Sequence, residues 1–170
     1  MDFEVIQGDI AAQRAGVLVN AAGTSLEMGS GVAGALRRTG GEELNEAATA
    51  NGPVDLGAVA VTDAYGLDAE YVIHAAAMPH YGDGQATEES IREATRGSLA
   101  PAEERGCRSL VIPALGCGVA GFDLREGITI IVEGIWDFEP DSLADVRLIG
   151  YSDEEYETIR AVAEDVRAGE

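Results

Sequence analysis

Apolar strand-like runs alternate with amphipathic helical runs along almost the whole chain, and this alternation limits the folds that the chain can adopt. The strand-like runs are FEVIQG (3–8), AGVLVNAAG (15–23), GAVAVTDAYG (57–66), YVIHAAAM (71–78), SLVIPAL (109–115) and DVRLIGYS (145–152). Strands joined by helices form a largely parallel sheet with helices on its faces. The sequence therefore predicts an α/β fold, and ligands in such folds bind where loops leave the carboxyl ends of the strands.

The intervening segments have helical periodicity and recognisable ends. Apolar residues at helical spacing predict helices over 31–50, 87–106 and 122–138, and a fourth helix after Ser152. Thr87 and Ser152 stand where capping residues are expected, and Gly106 stands where a helix would stop. With 170 residues and no linker or low-complexity segment, we expect a single domain over residues 1–170.

The charge of the chain excludes several classes of partner. Its formal net charge is −20, with 31 acidic residues spread along the sequence and 11 basic residues, all of them Arg. Such a surface repels polyanions, so we expect no nucleic-acid polymer as a partner. Self-repulsion becomes tolerable in molar salt, which favours a halophilic cytoplasmic protein over the alternative of an acidic partner-binding surface. No window is apolar enough to predict membrane association, and the two cysteines have no metal-ligand spacing.

Two glycine-rich segments, GSGVAG (29–34) and GCGVAG (116–121), contain no basic residue. Glycines allow successive backbone N–H groups to face one phosphate, and a helix N-terminus behind them adds partial positive charge. Tight turns are the alternative interpretation of each segment. A nicotinamide-dinucleotide site is disfavoured, because residues 20–28 separate the first segment from its strand and the acids about 20 residues after the second lie beyond a helix.

The sequence resembles the macrodomain family along nearly its whole length. The resemblance rests on QGDI (7–10), VLVNAAG (17–23), LEMGSGVAGAL (26–36), YVIHAAA (71–77) and IPALGCGVAGF (112–122). It implies a three-layer α/β/α fold with a mixed, largely parallel sheet. It also implies a cleft that binds ADP-ribose, free or attached to protein, without a metal or another cofactor.

The resemblance assigns ligand contacts residue by residue. Asp9 would accept a hydrogen bond from the adenine amine, the Ile10 amide would serve a ring nitrogen, and Tyr151 would stack on the base. Asn20 would orient the distal ribose, which makes it the one candidate for a catalytic role. The diphosphate would lie between two sets of amides, those of Gly29, Ser30, Gly31 and Val32 and those of Cys117, Gly118, Val119 and Ala120.

The sequence also departs from part of the family at positions that bear on activity. One hydrolase branch of the family has an acidic residue where Ala33 stands and a histidine near Arg37, so its catalytic pair is missing here. The branch that carries Ala is implied to hydrolyse ADP-ribosyl esters, with water activated partly by the phosphate of the substrate. The segment MPHYGDG (78–84) offers His80, Tyr81 and Asp83, but the pattern assigns no base. A reader that binds ADP-ribose without catalysis is the alternative, and His74 is interpreted as a core histidine.

Overall fold

The computed structural model of the protein describes residues 1–80, 83–117 and 121–169. Its six strands are β1 (Glu4–Gln7), β2 (Ala15–Gly23), β3 (Val59–Asp63), β4 (Ala69–Met78), β5 (Ser109–Ile112) and β6 (Asp145–Gly150). Its helices are α1 (Gly31–Gly40), α2 (Glu42–Ala50), α3 (Glu88–Glu104), α4 (Leu124–Trp136) and α5 (Asp153–Ala168), and a short 3₁₀ turn covers Ile10–Ala12.

The strands form one sheet in the order β1-β6-β5-β2-β4-β3. Every neighbouring pair is parallel except β3 with β4, so β3 is an antiparallel edge strand. The expected mixed, largely parallel sheet is confirmed. Because β1, β2, β4, β5 and β6 run in the same direction, the loops that follow them all leave from one edge of the sheet.

Successive side chains along the strands point to opposite faces of the sheet and pack in two apolar cores, one on each face. Val17 and Val19 of β2 pack in the core beneath α3, α4 and α5. Leu18 and Ala22 of the same strand pack in the core beneath α1 and α2. The apolar run of β2 is continuous because the strand is buried on both faces of the sheet.

The expected helix over 31–50 is two helices in the structure. Gly41, between α1 and α2, has φ +97°, a conformation that favours glycine, and its N–H donates to the carbonyl oxygen of Arg37 at 2.8 Å. The guanidinium of Arg37 spans the break and donates twice to the carboxylate of Glu42, each time at 2.7 Å. Strand β5 also ends earlier than expected, at Ile112, because Pro113 has no N–H to continue the ladder.

Two of the predicted helix caps are confirmed. The hydroxyl of Thr87 accepts from the N–H of Ser90 at 3.0 Å, and that of Ser152 accepts from the N–H of Glu155 at 3.1 Å. Both helices carry acidic residues in the first turn, which the helix dipole favours. Within the described ranges 1–80, 83–117 and 121–169, no helix is both long enough and apolar enough to cross a membrane.

A row of three polar side chains crosses the sheet beneath α1 and α2. Asn20 of β2 donates through Nδ2 to Nδ1 of His74 on β4, and Nε2 of His74 meets the hydroxyl of Thr62 on β3, each at 3.0 Å. That hydroxyl donates to the carbonyl oxygen of Asp63, so it accepts from Nε2–H of a neutral His74. Burial lowers the pKa of His74 to about 4, and the interpretation of a core histidine fits this placement.

This buried histidine gives the fold a specific dependence on pH. The pKa of His74 is depressed from 6.5 to about 4, so its contribution to stability is full above pH 6.5 and is lost as the pH falls towards 4. We expect the free energy of unfolding to fall by about 2 kcal/mol between pH 7 and pH 5 through this group. Denaturant titrations of the wild type and of His74→Gln at both pH values measure the difference.

The other histidine of the chain supplies the control. His80 is exposed, so His80→Ala should keep the loss of stability between pH 7 and pH 5, whereas His74→Gln should remove it. Equal pH dependence in the wild type and in His74→Gln would contradict this assignment.

Candidate active site

A cleft of about 380 Å³ lies over the carboxyl ends of β1, β6 and β5. One wall is a face of α1, and the opposite wall is the end of β6 with the first turn of α5. Its lining residues come from the loop after β1, from α1, from the end of β5 and from the β6–α5 junction: Gly8, Asp9, Ile10, Gly31, Val32, Ala35, Arg38, Pro113, Ile149, Tyr151 and Glu155.

Asp9, Ile10 and Tyr151 lie together at one end of this cleft. Asp9 caps the 3₁₀ turn, because its Oδ1 accepts from the N–H of Ala11 at 2.9 Å and fixes the carboxylate at the cleft. Tyr151 follows β6, and its N–H donates to Oε1 of Glu155 at 3.2 Å. Its side chain is 75% exposed, an unusually high value for a large aromatic residue. This end therefore offers a fixed hydrogen-bond acceptor beside an uncovered aromatic ring.

The N-terminus of α1 is the part of the wall that suits an anion. Ser30 occupies the N-cap position but makes no side-chain capping bond, and the first turn, which lies wholly within the described residues, holds no acidic residue. The first N–H groups of a helix have no partner inside the helix, and they carry about half a positive charge. Gly31 and Val32 place this open terminus in the cleft wall.

Other predicted contacts lie around the cleft or beneath it. Gly29 and Ser30 are exposed and lead directly into α1. Asn20 is fully buried under α1, where its Nδ2 donates to His74, and its Oδ1 has no hydrogen-bond partner among the described residues. The structure therefore places Asn20 in the polar row of the sheet, and contact with a ribose stays a prediction.

The second glycine-rich segment is described only in part. The N–H of Cys117 approaches the carbonyl oxygen of Ala114 at 3.5 Å, and its thiol donates to that of Leu115 at 3.4 Å. Burial, reinforced by the charges of Glu155 and Asp123, raises the pKa of the thiol to about 12, so Cys117 is no thiolate nucleophile at neutral pH. The predicted contacts Gly118, Val119 and Ala120 lie outside the described residues, as does Tyr81.

Several lining residues were not among the predicted contacts, and one of them, Arg38, changes the electrostatics of the cleft. Val32, Ala35 and Arg38 share one face of α1 at a spacing of three residues, and all three line the cleft. That spacing could have identified Ala35 and Arg38 as neighbours of the predicted contact Val32. A guanidinium therefore stands on the cleft wall one helical turn beyond the glycines, opposite the carboxylate of Glu155.

Comparison with known proteins agrees with this fold and with the quoted motifs. The family model described as Macro domain matches residues 19–131. A protein of Mycobacterium tuberculosis (strain ATCC 25618 / H37Rv) is 37% identical over 170 residues, which are 100% of this chain and 46% of that protein. A protein of Aquifex aeolicus is 36% identical over 154 residues, 91% of this chain and 93% of that protein. The chain thus spans about half the length of its mycobacterial relatives.

Solved structures with the same fold include proteins crystallised with nucleotides. The Oceanobacillus iheyensis macrodomain with ADP superposes with a TM-score of 0.88 at 25% identity, covering 97% of this chain and 92% of that one. The Trypanosoma brucei macrodomain in complex with ADP-ribose superposes with a TM-score of 0.83 at 25% identity, covering 92% of this chain and 67% of that one.

Proposed function

The chain belongs to the macro domain family, and from that premise we propose that it binds ADP-ribose in the cleft between α1 and β6. The observation that carries the proposal is the open N-terminus of α1. In the part of the chain that the structure describes, α2, α3, α4 and α5 all have acidic residues in the first turn, whereas α1 has none. A helix end kept free of carboxylates in so acidic a chain suits an external anion such as a diphosphate.

In this proposal the adenosine half of the ligand would lie at the end of the cleft nearest β1. Adenine would lie against Tyr151, with its exocyclic amine donating to the carboxylate of Asp9 and a ring nitrogen accepting from the N–H of Ile10. The diphosphate would then accept from the amides of Gly29 to Val32 and of Cys117 to Ala120. The proposal thus assigns each part of the ligand to a particular group of the cleft and its neighbouring loops.

We further propose that the protein hydrolyses ADP-ribosyl esters, with proteins modified on acidic side chains as substrates. Two observations favour the alternative of a reader that only binds. Ala33 is buried and has no carboxylate. Arg37 is held by Glu42 and by the carbonyl oxygen of Met28, at 3.1 Å, so it is not free to act in the cleft. The hydrolysis that we propose therefore needs a base that Ala33 and Arg37 of α1 do not supply.

Calorimetry in molar salt tests the binding proposal. We expect ADP-ribose to bind with a dissociation constant in the low micromolar range, about −8 kcal/mol. AMP should bind more weakly, because it lacks the second phosphate and the distal ribose. Equal affinities for AMP and ADP-ribose would contradict the assignment of the diphosphate to the N-terminus of α1.

Replacing Tyr151 tests the adenine end. Tyr151→Ala should weaken ADP-ribose binding by about 1 to 3 kcal/mol, the usual contribution of stacking between a base and an aromatic ring. Tyr65→Ala is the matched control, since Tyr65 is 45% exposed and follows β3 at the far edge of the sheet. Calorimetric affinities of the two variants should differ by at least fivefold, and similar affinities would place adenine elsewhere.

An acid at the N-cap of α1 should affect binding and stability in opposite directions. Ser30→Asp adds a carboxylate that favours the helix dipole by about 0.3 to 1 kcal/mol. The same charge repels a diphosphate, so we expect the affinity for ADP-ribose to fall by about tenfold or more, or about 1.4 kcal/mol. Thermal unfolding and calorimetry measure the two effects.

Asn51→Asp, at the end of α2, is the control for Ser30→Asp, because it adds the same charge beside Tyr65 at the far edge of the sheet. This variant should leave ADP-ribose affinity unchanged. If Ser30→Asp binds ADP-ribose as tightly as Asn51→Asp, then the N-terminus of α1 is not the diphosphate site.

A further inference from the structure

Two loops at the carboxyl ends of β2 and β4 bring a serine and a histidine together. Nδ1 of His80 lies 3.0 Å from Oγ of Ser25, and the N–H of His80 donates to the hydroxyl of Thr24 at 3.1 Å. These bonds join residues more than 50 positions apart in sequence. The imidazole is thus held on one side, while its side chain is exposed to solvent.

The turn that carries Ser25 is fixed from several directions. The N–H of Leu26 donates to the carbonyl oxygen of Gly23 at 3.0 Å, and the N–H of Val54 donates to that of Thr24 at 2.8 Å. The side chain of Leu26 is fully buried. A Cβ on Gly23 would lie 3.1 Å from the carbonyl oxygen of Pro79, so glycine there permits the close approach of the two loops.

Ser25 contacts Nδ1 of His80, so Nε2 is the ring nitrogen left for another partner. Oγ of Ser25 also accepts from the N–H of Glu27 at 3.3 Å, which keeps it beside the ring. When Nδ1–H donates to this oxygen, the lone pair of the imidazole is on Nε2. Among the described residues Nε2 of His80 has no hydrogen-bond partner. A positioned imidazole with a free Nε2 is the arrangement that a general base requires.

The strand order places this pair on the same edge of the sheet as the cleft, beyond its lining residues and on the side away from Asp9 and Tyr151. Strands β5 and β2 separate β6 from β4. Three strand spacings amount to about 14 Å. If adenine lies at β6 and the diphosphate at the N-terminus of α1, the second ribose of ADP-ribose and any group attached to it extend towards β4. This step rests on the proposed function.

We propose that His80 is the general base that hydrolyses an acyl ester on the second ribose, and that Ser25 is its positioning residue. Nε2 removes a proton from a water molecule as the water oxygen bonds to the ester carbonyl carbon. The bond between that carbon and the ribose oxygen then breaks, and the ribose oxygen takes the proton from Nε2. The products are a free carboxylic acid and ADP-ribose, and the imidazole is neutral again.

The location of the pair distinguishes this reaction from one in which the phosphate of the substrate is the base. A phosphate reaches the anomeric carbon of the second ribose, and water attacking there leaves its oxygen in ADP-ribose. His80 stands beyond the ribose, nearer the acyl group, and water attacking there leaves its oxygen in the carboxylate. The two bases therefore predict opposite isotope patterns and opposite effects of removing His80.

The test uses a peptide carrying one ADP-ribose on glutamate through an ester, incubated with the full chain in molar salt and H₂¹⁸O. Release of ADP-ribose is measured for the wild type, His80→Ala, Ser25→Ala and Asp83→Asn. Asp83→Asn is the control, because among the described residues Asp83 meets His80 only through a backbone bond, at 2.9 Å. Calorimetry with ADP-ribose runs in parallel for every variant.

We expect His80→Ala to lower the rate of release by about 10² to 10⁴, the usual contribution of a general base. Added imidazole should restore part of that rate. Ser25→Ala should lower the rate by about tenfold, because His80 would lose the hydrogen bond that positions it as a base. Asp83→Asn should release ADP-ribose at the wild-type rate. All four proteins should bind ADP-ribose within about threefold of one another. In the wild type, ¹⁸O should appear in the glutamate carboxylate.

Several outcomes would overturn the proposal. They are full activity in His80→Ala, ¹⁸O in ADP-ribose rather than in the carboxylate, loss of activity that imidazole does not restore, and an acyl group trapped on Ser25. A wild type that binds ADP-ribose but releases none makes the protein a reader and removes the role of His80. A wild type that does not bind ADP-ribose contradicts the proposed function itself.

Discussion

The parallel pairing of β2 with β4 is the interaction on which the rest of the structure depends. The two strands pair from Ala15 and Ala69 to Gly23 and Met78, deep between the two helical layers. Their alternating side chains contribute to both apolar cores, and their shared register sets Asn20 opposite His74. The same pairing brings the loops after the two strands side by side. The pairing of β2 with β4 therefore accounts both for the burial of the sheet and for the positions of the two loops at its carboxyl edge.

The molecule has a strongly acidic composition, but the N-terminus of α1 has no acidic residue in its first turn. At a net charge of −20, a cluster of cations would attract the protein's own carboxylates as readily as a ligand. The proposed use of backbone N–H groups at the start of α1 avoids this conflict, because such groups attract an anion without a mobile cationic side chain. Arg38 adds one guanidinium to the cleft wall, one helical turn beyond the glycines. Recognition of an anion is then compatible with a surface that repels most anions.

The groups that could carry chemistry differ in how the fold treats them. Burial keeps His74 neutral and Cys117 a thiol, so the low dielectric of the interior removes both from acid–base work near neutral pH. His80 is exposed and held by a hydroxyl, which leaves one ring nitrogen towards solvent. Burial in the fold, rather than residue type, separates the structural histidine from the candidate base.

The sequence by itself determined the α/β class, the helix caps at Thr87 and Ser152 and the family, because these depend on local periodicity, local hydrogen bonding and contiguous motifs. It also identified five of the residues that line the cleft, namely Asp9, Ile10, Gly31, Val32 and Tyr151. Only the tertiary structure decided that Asn20 is buried against His74 and that Ser25 meets His80, since those contacts join segments more than 50 residues apart. Long-range contacts follow from strand order and register, which no local pattern encodes.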